Sequence, residues 1–229
     1  MATKFRGANW LQKNDFAPQI FLFRNLETGQ VLYSQLPEFS DYQIKKQFQR
    51  PNWENRRPKT RPDIWRIMAV ANFPTYESSI KAFESLVHLR TLRDVVTKDV
   101  AMKYRPKNED NHIWYSGQFR PVYTQEAVAD LNNVIQHIGS KTTIFWEDEW
   151  RKGDSSHWKP ELVQHETMNR TGTRIQSALL DELRVKGREL FQKASREENT
   201  RKQKREADRA RKARRKAAVQ AEQTEQPTV

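Results

Sequence analysis

Cysteine is absent from this sequence of 229 residues, and glycine occurs only 7 times. Without thiols, the chain can form no disulfide bond and no thiolate zinc site. The few glycines form no glycine-rich loop of the kind that cradles a nucleotide phosphate, which argues against an ATP-driven activity. Uninterrupted apolar stretches stay well short of the roughly 20 residues that a membrane span requires. The sequence therefore predicts no disulfide-stabilised fold, no ATP-driven enzyme and no membrane span.

Candidate metal ligands are few and scattered. The histidines are His88, His112, His137, His157 and His165, and only the last two lie within eight residues of each other. Three adjacent acids, Glu147, Asp148 and Glu149, could bind Mg²⁺, but acids beside Trp146 and Trp150 are more typical of surface charge. We therefore expect no catalytic residues, no metal and no cofactor.

Charge is strongly unbalanced: 41 Lys and Arg residues oppose 29 Asp and Glu residues, giving a formal net charge of +12. Such an excess favours polyanionic partners, which are RNA, DNA or an anionic membrane surface. A role in solubility alone is the alternative. The clustering of the cations in two segments favours a nucleic acid.

Apolar periodicity indicates several elements before residue 170. Residues 20–35 read as a β-hairpin, and residues 64–73 as a buried strand. Ser40 with Gln43 forms a capping-box pattern that opens a short helix, and a longer helix follows residues 74–75. Residues 113–122 are predicted to be extended, with the next helix capped by Thr124. Residues 144–150 form a further short apolar run.

The predicted fold class is α+β, a small antiparallel sheet with a β-hairpin and covering helices, followed by a long basic C-terminal helix. Only 36% of the residues are hydrophobic, and the aromatic residues are concentrated before residue 160. Large apolar residues become rare beyond Phe191. We therefore expect an α+β nucleic-acid-binding domain over residues 1–170, a basic helical extension over 171–218 and a disordered tail over 219–229.

Residues 44–66, the Arg/Trp loop, combine eight cations with Trp53 and Trp65, and Pro51, Pro58 and Pro62 restrict the backbone. A guanidinium group matches the geometry of a phosphate, and an indole ring can stack on an unpaired base. The alternative is a solvated loop with two core tryptophans. The residues predicted to contact nucleic acid are Lys45, Lys46, Arg50, Trp53, Arg56, Arg57, Lys59, Arg61 and Arg66.

Residues 192–218, the basic tail, carry 12 basic and four acidic residues in a helical pattern, a net charge of +8. The alternative is a solvated helix with pairs four residues apart, such as Glu197–Arg201 and Asp208–Lys212. These pairs would leave most of the charge unopposed, and the absence of an apolar face argues against membrane binding. The predicted contact residues are Arg201, Lys202, Lys204, Arg205, Arg209, Arg211, Lys212, Arg214, Arg215 and Lys216.

Several longer motifs resemble a known family. They are residues 23–35 (FRNLETGQVLYSQ), 50–56 (RPNWENR), 63–65 (DIW), 89–94 (LRTLRD), 114–121 (WYSGQFRP), 125–131 (QEAVADL) and 146–148 (WED). Together they are similar to the fungal family of mitochondrial homologous recombination proteins, whose members are also components of the mitochondrial large ribosomal subunit. The resemblance covers roughly residues 5–160, so the predicted RNA contacts of the basic tail are inferred from its charge alone.

This resemblance implies a structural, non-enzymatic protein of the mitochondrial matrix. Its implied partners are the rRNA of the mitochondrial large subunit and neighbouring ribosomal proteins. A second implied role is the ATP-independent pairing of homologous DNA and mitochondrial transcription, with single- and double-stranded mitochondrial DNA as partners. The alternative function is accordingly a free DNA-pairing or transcription factor of mitochondrial nucleoids.

A fainter similarity connects residues 19–34 to the hairpin of GIY-YIG nucleases. In that alignment Phe21 occupies the position of a tyrosine whose hydroxyl is needed for cleavage. Because phenylalanine has no hydroxyl, the resemblance implies a retained fold without nuclease chemistry.

Overall fold

A computed structural model describes residues 5–48, 57–105 and 121–224, with residues 121, 122, 211 and 213–224 described by their backbone alone. The strands are β1 (Gln19–Asn25), β2 (Val31–Ser34), β3 (Trp65–Asn72), β4 (Thr142–Trp146) and β5 (Val163–Thr167). The helices are α1 (Ala8–Lys13), α2 (Asp41–Gln47), α3 (Tyr76–Thr91), α4 (Lys98–Tyr104), α5 (Pro121–Ile138) and α6 (Gln176–Thr224), and a π-helical turn, Leu92–Val96, joins α3 to α4.

The strands form one sheet in the order β2-β1-β3-β4-β5. The neighbours from β2 to β4 are antiparallel, which confirms the hairpin and the α+β class. The sheet is mixed rather than wholly antiparallel, because β5 runs parallel to β4. This edge strand reads VQHET and buries little beyond Val163, so it has none of the apolar alternation that predicts a strand.

Helices cover both faces of this sheet. On one face Ile20 and Leu22 of β1 share a core with α3 and α5. On the other face Phe21 and Phe23 pack in a second core with Ile44 of α2 and the first turns of α6. Burial on both sides explains why β1 and β3 are almost continuously apolar instead of alternating.

Two of the three predicted helix starts are confirmed. The Ser40 hydroxyl accepts a hydrogen bond from the Gln43 amide, and the Gln43 side chain accepts one from the Ser40 amide, so the capping box is complete. Thr75 caps α3 with its hydroxyl, which accepts a hydrogen bond from the Ser78 amide at 3.2 Å. The prediction that Thr124 caps the next helix is wrong, because α5 already begins at Pro121. Proline suits the first helical position, where its missing N–H has no partner to lose. Residues 113–120 of the predicted extended segment lie outside the described residues.

The first turns of α6 belong to the folded core. Leu179, Leu180 and Leu183 are buried in the second core, and the Gln176 side chain binds β3 by accepting from the Ile67 amide at 2.7 Å. The chain divides into two compact units between residues 191 and 192, within the helix that continues to Thr224. Within the described residues, none of the helices has both the length and the apolar composition needed to cross a bilayer.

Gly187 marks a close approach between α6 and β1. A Cβ atom at this position would overlap the side-chain amide of Gln19, which is buried. That amide donates to the Leu183 carbonyl at 2.9 Å and to Asn72 Oδ1 at 2.7 Å. The Gln19 amide thus connects the helix to two neighbouring strands, and only glycine leaves room for it.

We expect Gly187→Ala to lower the free energy of unfolding by about 1–2 kcal/mol. Alanine normally stabilises a helix interior by roughly 1 kcal/mol over glycine. Here the displaced Gln19 would lose two buried hydrogen bonds, each worth about 1 kcal/mol, with a further cost for unsatisfied groups. Urea unfolding measures the difference. Ser177→Ala, on the exposed side of the same helix, is the control and should be neutral or stabilising; an equally stable Gly187→Ala variant would contradict the close approach.

Two arginines join the helices beside the first core. Arg105 donates to both oxygens of Glu126, at 2.8 and 3.0 Å, and to Asp94 at 3.0 Å. Arg93 pairs with Asp130 and lies 3.6 Å from Glu126. Burial acts to lower the pKa of Arg105, but the hydrogen bonds and charges of its acidic partners outweigh burial and raise it. The π-helical turn, α4 and α5 are therefore held together by buried charge pairs.

Candidate nucleic-acid interface

The described end of the Arg/Trp loop lies against the β1–β2 hairpin. In the hairpin turn, the Asn25 side chain accepts from the amides of Glu27 and Thr28, both at 2.9 Å. The Leu26 amide donates to the Ile64 carbonyl at 2.8 Å, and Lys59 pairs with Glu27 at 3.2 Å. These contacts give residues 57–64 a fixed path across one end of the sheet.

Trp65 is a core residue. Its side chain is fully buried, and its indole N–H donates to the Lys59 carbonyl at 3.0 Å. It therefore cannot stack on a base. For Trp65, this agrees with the alternative interpretation of the loop, in which both tryptophans are core residues. Its role is to fix the backbone that carries Lys59. Trp53 lies outside the described residues, as do Arg50 and Arg56.

The remaining loop cations occupy different environments. Lys45 and Arg57 are exposed, and the ammonium group of Lys46 lies 5.6 Å from the centre of the Tyr42 ring. Arg61 pairs with Asp63 at 2.5 Å, on a surface where both side chains are more than half exposed. Because exposed pairs contribute little, the charge of Arg61 stays available to a phosphate. Arg66 differs, since it pairs with the buried Glu147.

The described cations of the basic tail are exposed. Among the predicted contact residues, the exposed ones are Arg201, Lys202, Lys204, Arg205, Arg209 and Lys212. Lys202 pairs with Glu198 at 2.8 Å, whereas no ion pair joins Glu197 to Arg201 or Asp208 to Lys212 in the described structure. The side chains of Arg211, Arg214, Arg215 and Lys216 lie outside the described residues. The described cations of the basic tail are thus presented to solvent largely without acidic partners.

A further group of charges lies at the end of the sheet where the loop enters β3. We call Arg24, Arg66, Glu147, Asp148, Arg151 and Arg170 the sheet-end cluster. Arg24 and Arg66 are paired positions on β1 and β3. Glu147 follows β4 directly, and its amide donates to the Met68 carbonyl at 3.0 Å. Arg151 lies in a short 3₁₀ turn, Glu149–Lys152, that follows this residue.

The acids of this cluster face cations rather than a metal site. Glu147 pairs with Arg66 and lies 3.8 Å from Arg151, while Asp148 pairs with Arg170 and lies 3.3 Å from Arg151. Burial raises the pKa of Glu147, although the neighbouring arginines oppose this effect. Within the described residues, no group of three or more acids and histidines is placed to hold a metal ion.

Sequence reasoning missed Arg24, Trp150, Arg151 and Arg170. These residues come from three separate segments of the chain, and only the sheet brings the segments together. One signal was available in the sequence, because Trp150 is followed directly by Arg151. In the structure the Arg151 guanidinium lies 4.5 Å from the centre of the Trp150 ring, and Trp150 is 67% exposed.

Comparison with known proteins identifies the family. A family profile described as transcriptional regulation of mitochondrial recombination matches residues 17–99, from β1 into α4. A relative from Kluyveromyces lactis, named large ribosomal subunit protein mL67, is 54% identical over 186 residues, covering 78% of this chain and 85% of its own length. The chain belongs to the mitochondrial recombination and mL67 family. Proteins of the same name from Debaryomyces hansenii and Yarrowia lipolytica are 53% and 42% identical, covering 77% and 69% of this chain and 76% and 78% of their own lengths.

Membership in the mL67 family confirms the resemblance found in the sequence motifs. The relatives are named as ribosomal proteins, a class that is structural rather than enzymatic, in agreement with the prediction of no enzyme activity. Phe21, at the position of the nuclease tyrosine, is only 1% exposed in the second core. A side chain without a hydroxyl and without access to solvent cannot take part in strand cleavage.

Proposed function

We propose that this chain is a structural component of the large subunit of the mitochondrial ribosome, located in the matrix, and that it binds rRNA. The Arg/Trp loop and the basic tail provide the contacts with RNA. Two kinds of evidence support this proposal: the names of relatives that share about half of their residues with the chain, and the charge of its two basic segments.

The observation that carries the RNA contact is the exposed basic tail. Residues 192–218 hold 12 cations and four acids on a helix whose described cations are exposed to solvent. Neutralising phosphates with such cations releases condensed counterions, which gives affinity without base specificity. The described end of the loop adds Arg57 and Arg61 next to a backbone held by Trp65 and by the hairpin turn. Ribosomal neighbours of the chain would bind its remaining surface.

A second candidate function is ATP-independent pairing of homologous DNA, with a role in transcription in mitochondrial nucleoids. The description of the family profile, which names transcription and recombination, favours this candidate. The same cations would hold single- or double-stranded mitochondrial DNA, because phosphate contacts do not distinguish the two nucleic acids.

Sedimentation of a mitochondrial extract distinguishes the two candidates. We expect the chain to co-sediment with large subunits at about 0.5 M monovalent salt. The Debye length is then only about 4 Å, so proteins held by weak surface electrostatics dissociate. RNase treatment should release the chain, while DNase treatment, the matched control, should leave it in place. Purified large subunits that lack the chain, with the protein recovered in a DNase-sensitive fraction, would contradict the ribosomal assignment.

A further inference from the structure

The sheet-end cluster contains more positive than negative charge. It holds four arginines but only two carboxylates, Glu147 and Asp148, which pair with Arg66, Arg151 and Arg170; the adjacent Glu149 pairs with Lys152 at 2.7 Å. In the part of the chain that the structure describes, Arg24 has no ion-pair partner, and its buried Nε atom has no hydrogen-bond partner. A half-buried guanidinium without a paired anion is costly, so a further negative group would stabilise the cluster.

The electrostatic surroundings of Arg24 support this conclusion. Burial lowers the pKa of Arg24, and repulsion from Arg151 and Arg66 lowers it further, against the attraction of Glu147 and Asp148. The three guanidinium groups therefore repel one another around acids that do not fully compensate them. A phosphate would relieve this repulsion and could accept hydrogen bonds from the planar guanidinium groups.

Trp150 places an aromatic ring beside the cluster. Among the described tryptophans, Trp65, Trp146 and Trp158 are buried, and Trp10 is stacked on Phe16 with Arg6 at 3.9 Å from its ring. Trp150 is the most exposed of them, at 67%. An exposed indole next to guanidinium groups that outnumber their acids is the combination that holds a nucleotide of a single strand, the phosphate by charge and the base by stacking.

We propose that the sheet-end cluster and Trp150 form a binding site for one unpaired nucleotide of a single-stranded RNA segment. The phosphate contacts Arg24, Arg66 and Arg151, and the base stacks on Trp150. The inference rests on the proposed RNA-binding function and adds a site with a chemical preference, because an indole stacks on an unpaired base and not on a paired one. The site adjoins the Arg/Trp loop through Arg66, so one strand can follow both surfaces.

Two variants of the full-length chain test this site. Trp150→Ala should weaken the binding of a single-stranded RNA oligonucleotide by about fivefold or more, as expected for the loss of one stacked base. Its affinity for a duplex RNA of equal length should stay unchanged. Arg24→Gln should weaken binding about fivefold at ~0.1 M salt and reduce the slope of log affinity against log salt by about 0.7. Fluorescence anisotropy over a salt series measures both quantities.

The controls separate this site from a purely structural cluster. Lys81→Gln removes one charge from an exposed position on α3 and should bind RNA like the wild type. Because Arg24 is unpaired, Arg24→Gln should not lower the midpoint of thermal unfolding. Wild-type affinity in both Arg24→Gln and Trp150→Ala would overturn the site. Competition by polyglutamate as effective as competition by an oligonucleotide of equal charge would assign the patch to an acidic protein and overturn the RNA proposal. Failure of the wild-type chain to bind RNA at all would instead refute the proposed function.

Discussion

Deletion of residues 192–229 is expected to lower the affinity for RNA by about 100-fold or more at ~0.1 M salt. Each phosphate contact with a single strand contributes a slope of about −0.7 to log affinity against log salt, which corresponds to a factor of about five at this concentration. Three to four engaged cations of the 12 in the basic tail are sufficient for the expected loss. The slope itself should become less steep by about 2–3. Titrations from about 50 to 300 mM salt, over which the Debye length shortens by a factor of about 2.4, measure this slope.

A tail with five fewer positive charges provides the matched control. Substituting glutamine for Arg201, Lys204, Arg205, Arg209 and Lys212 keeps the length of the helix, since glutamine and lysine have similar helix propensities. This variant should lose most of the affinity that the deletion loses. Equal salt slopes for the variant and the wild type would show that the charge of the tail is not used. In both variants the folded domain should unfold at the same urea concentration as in the wild type, because no described residue of the tail belongs to either core.

Replacing Arg105 with methionine should lower the free energy of unfolding by about 3 kcal/mol. The substitution leaves Glu126 and Asp94 with side chains only 20% and 16% exposed and without their main cation. Removing one partner of a buried ion pair typically costs 3–5 kcal/mol, and Arg93, at 3.6 Å from Glu126, keeps the expected loss at the lower end. The shift in the midpoint of urea unfolding measures the change, provided that the dependence of the free energy of unfolding on urea concentration is the same in both proteins.

Lys103→Met is the control for Arg105→Met. Lys103 is exposed on the same helix, so its substitution changes charge and hydrophobicity without breaking a buried pair. Its effect should stay within about 0.5 kcal/mol. The acid side can be tested as well, because Arg105→Met combined with Glu126→Gln should recover part of the lost stability. Equal stabilities of Arg105→Met and Lys103→Met would contradict a stabilising role of the buried pairs.

Local signals in the sequence predict much of the fold. The capping box of Ser40 and Gln43, the cap at Thr75 and the apolar runs of the hairpin act over a few residues, and the structure confirms them. The parallel strand β5 could not be predicted in this way, since it depends on pairing with β4 rather than on its own polar residues. The start of α5 was misplaced because Pro121 was assigned to an extended segment instead of a first helical turn.

The candidate interface was predictable in composition but not in arrangement. Runs of arginine and lysine identify the loop and the tail, yet they cannot show that Trp65 is buried or that Arg66 faces Glu147. Both facts depend on how β3 and β4 align in the sheet. The surroundings of Trp150 could not be predicted for the same reason. Its ring contacts Arg151, which lies 3.8 Å from Glu147, and Glu147 pairs with Arg66 of β3.

The helices on both faces of the sheet affect the solubility of the chain before it binds its partners. Residues 20–23 and 67–71 are uncharged and rich in β-branched and aromatic side chains, which is the composition of segments that form intermolecular β-structure. In the folded chain these strands are paired on both edges and covered by helices on both faces, which keeps them away from other copies of the chain. Loss of the contacts around Gly187 or Arg105 would therefore reduce the amount of protein that stays dispersed, in addition to its stability.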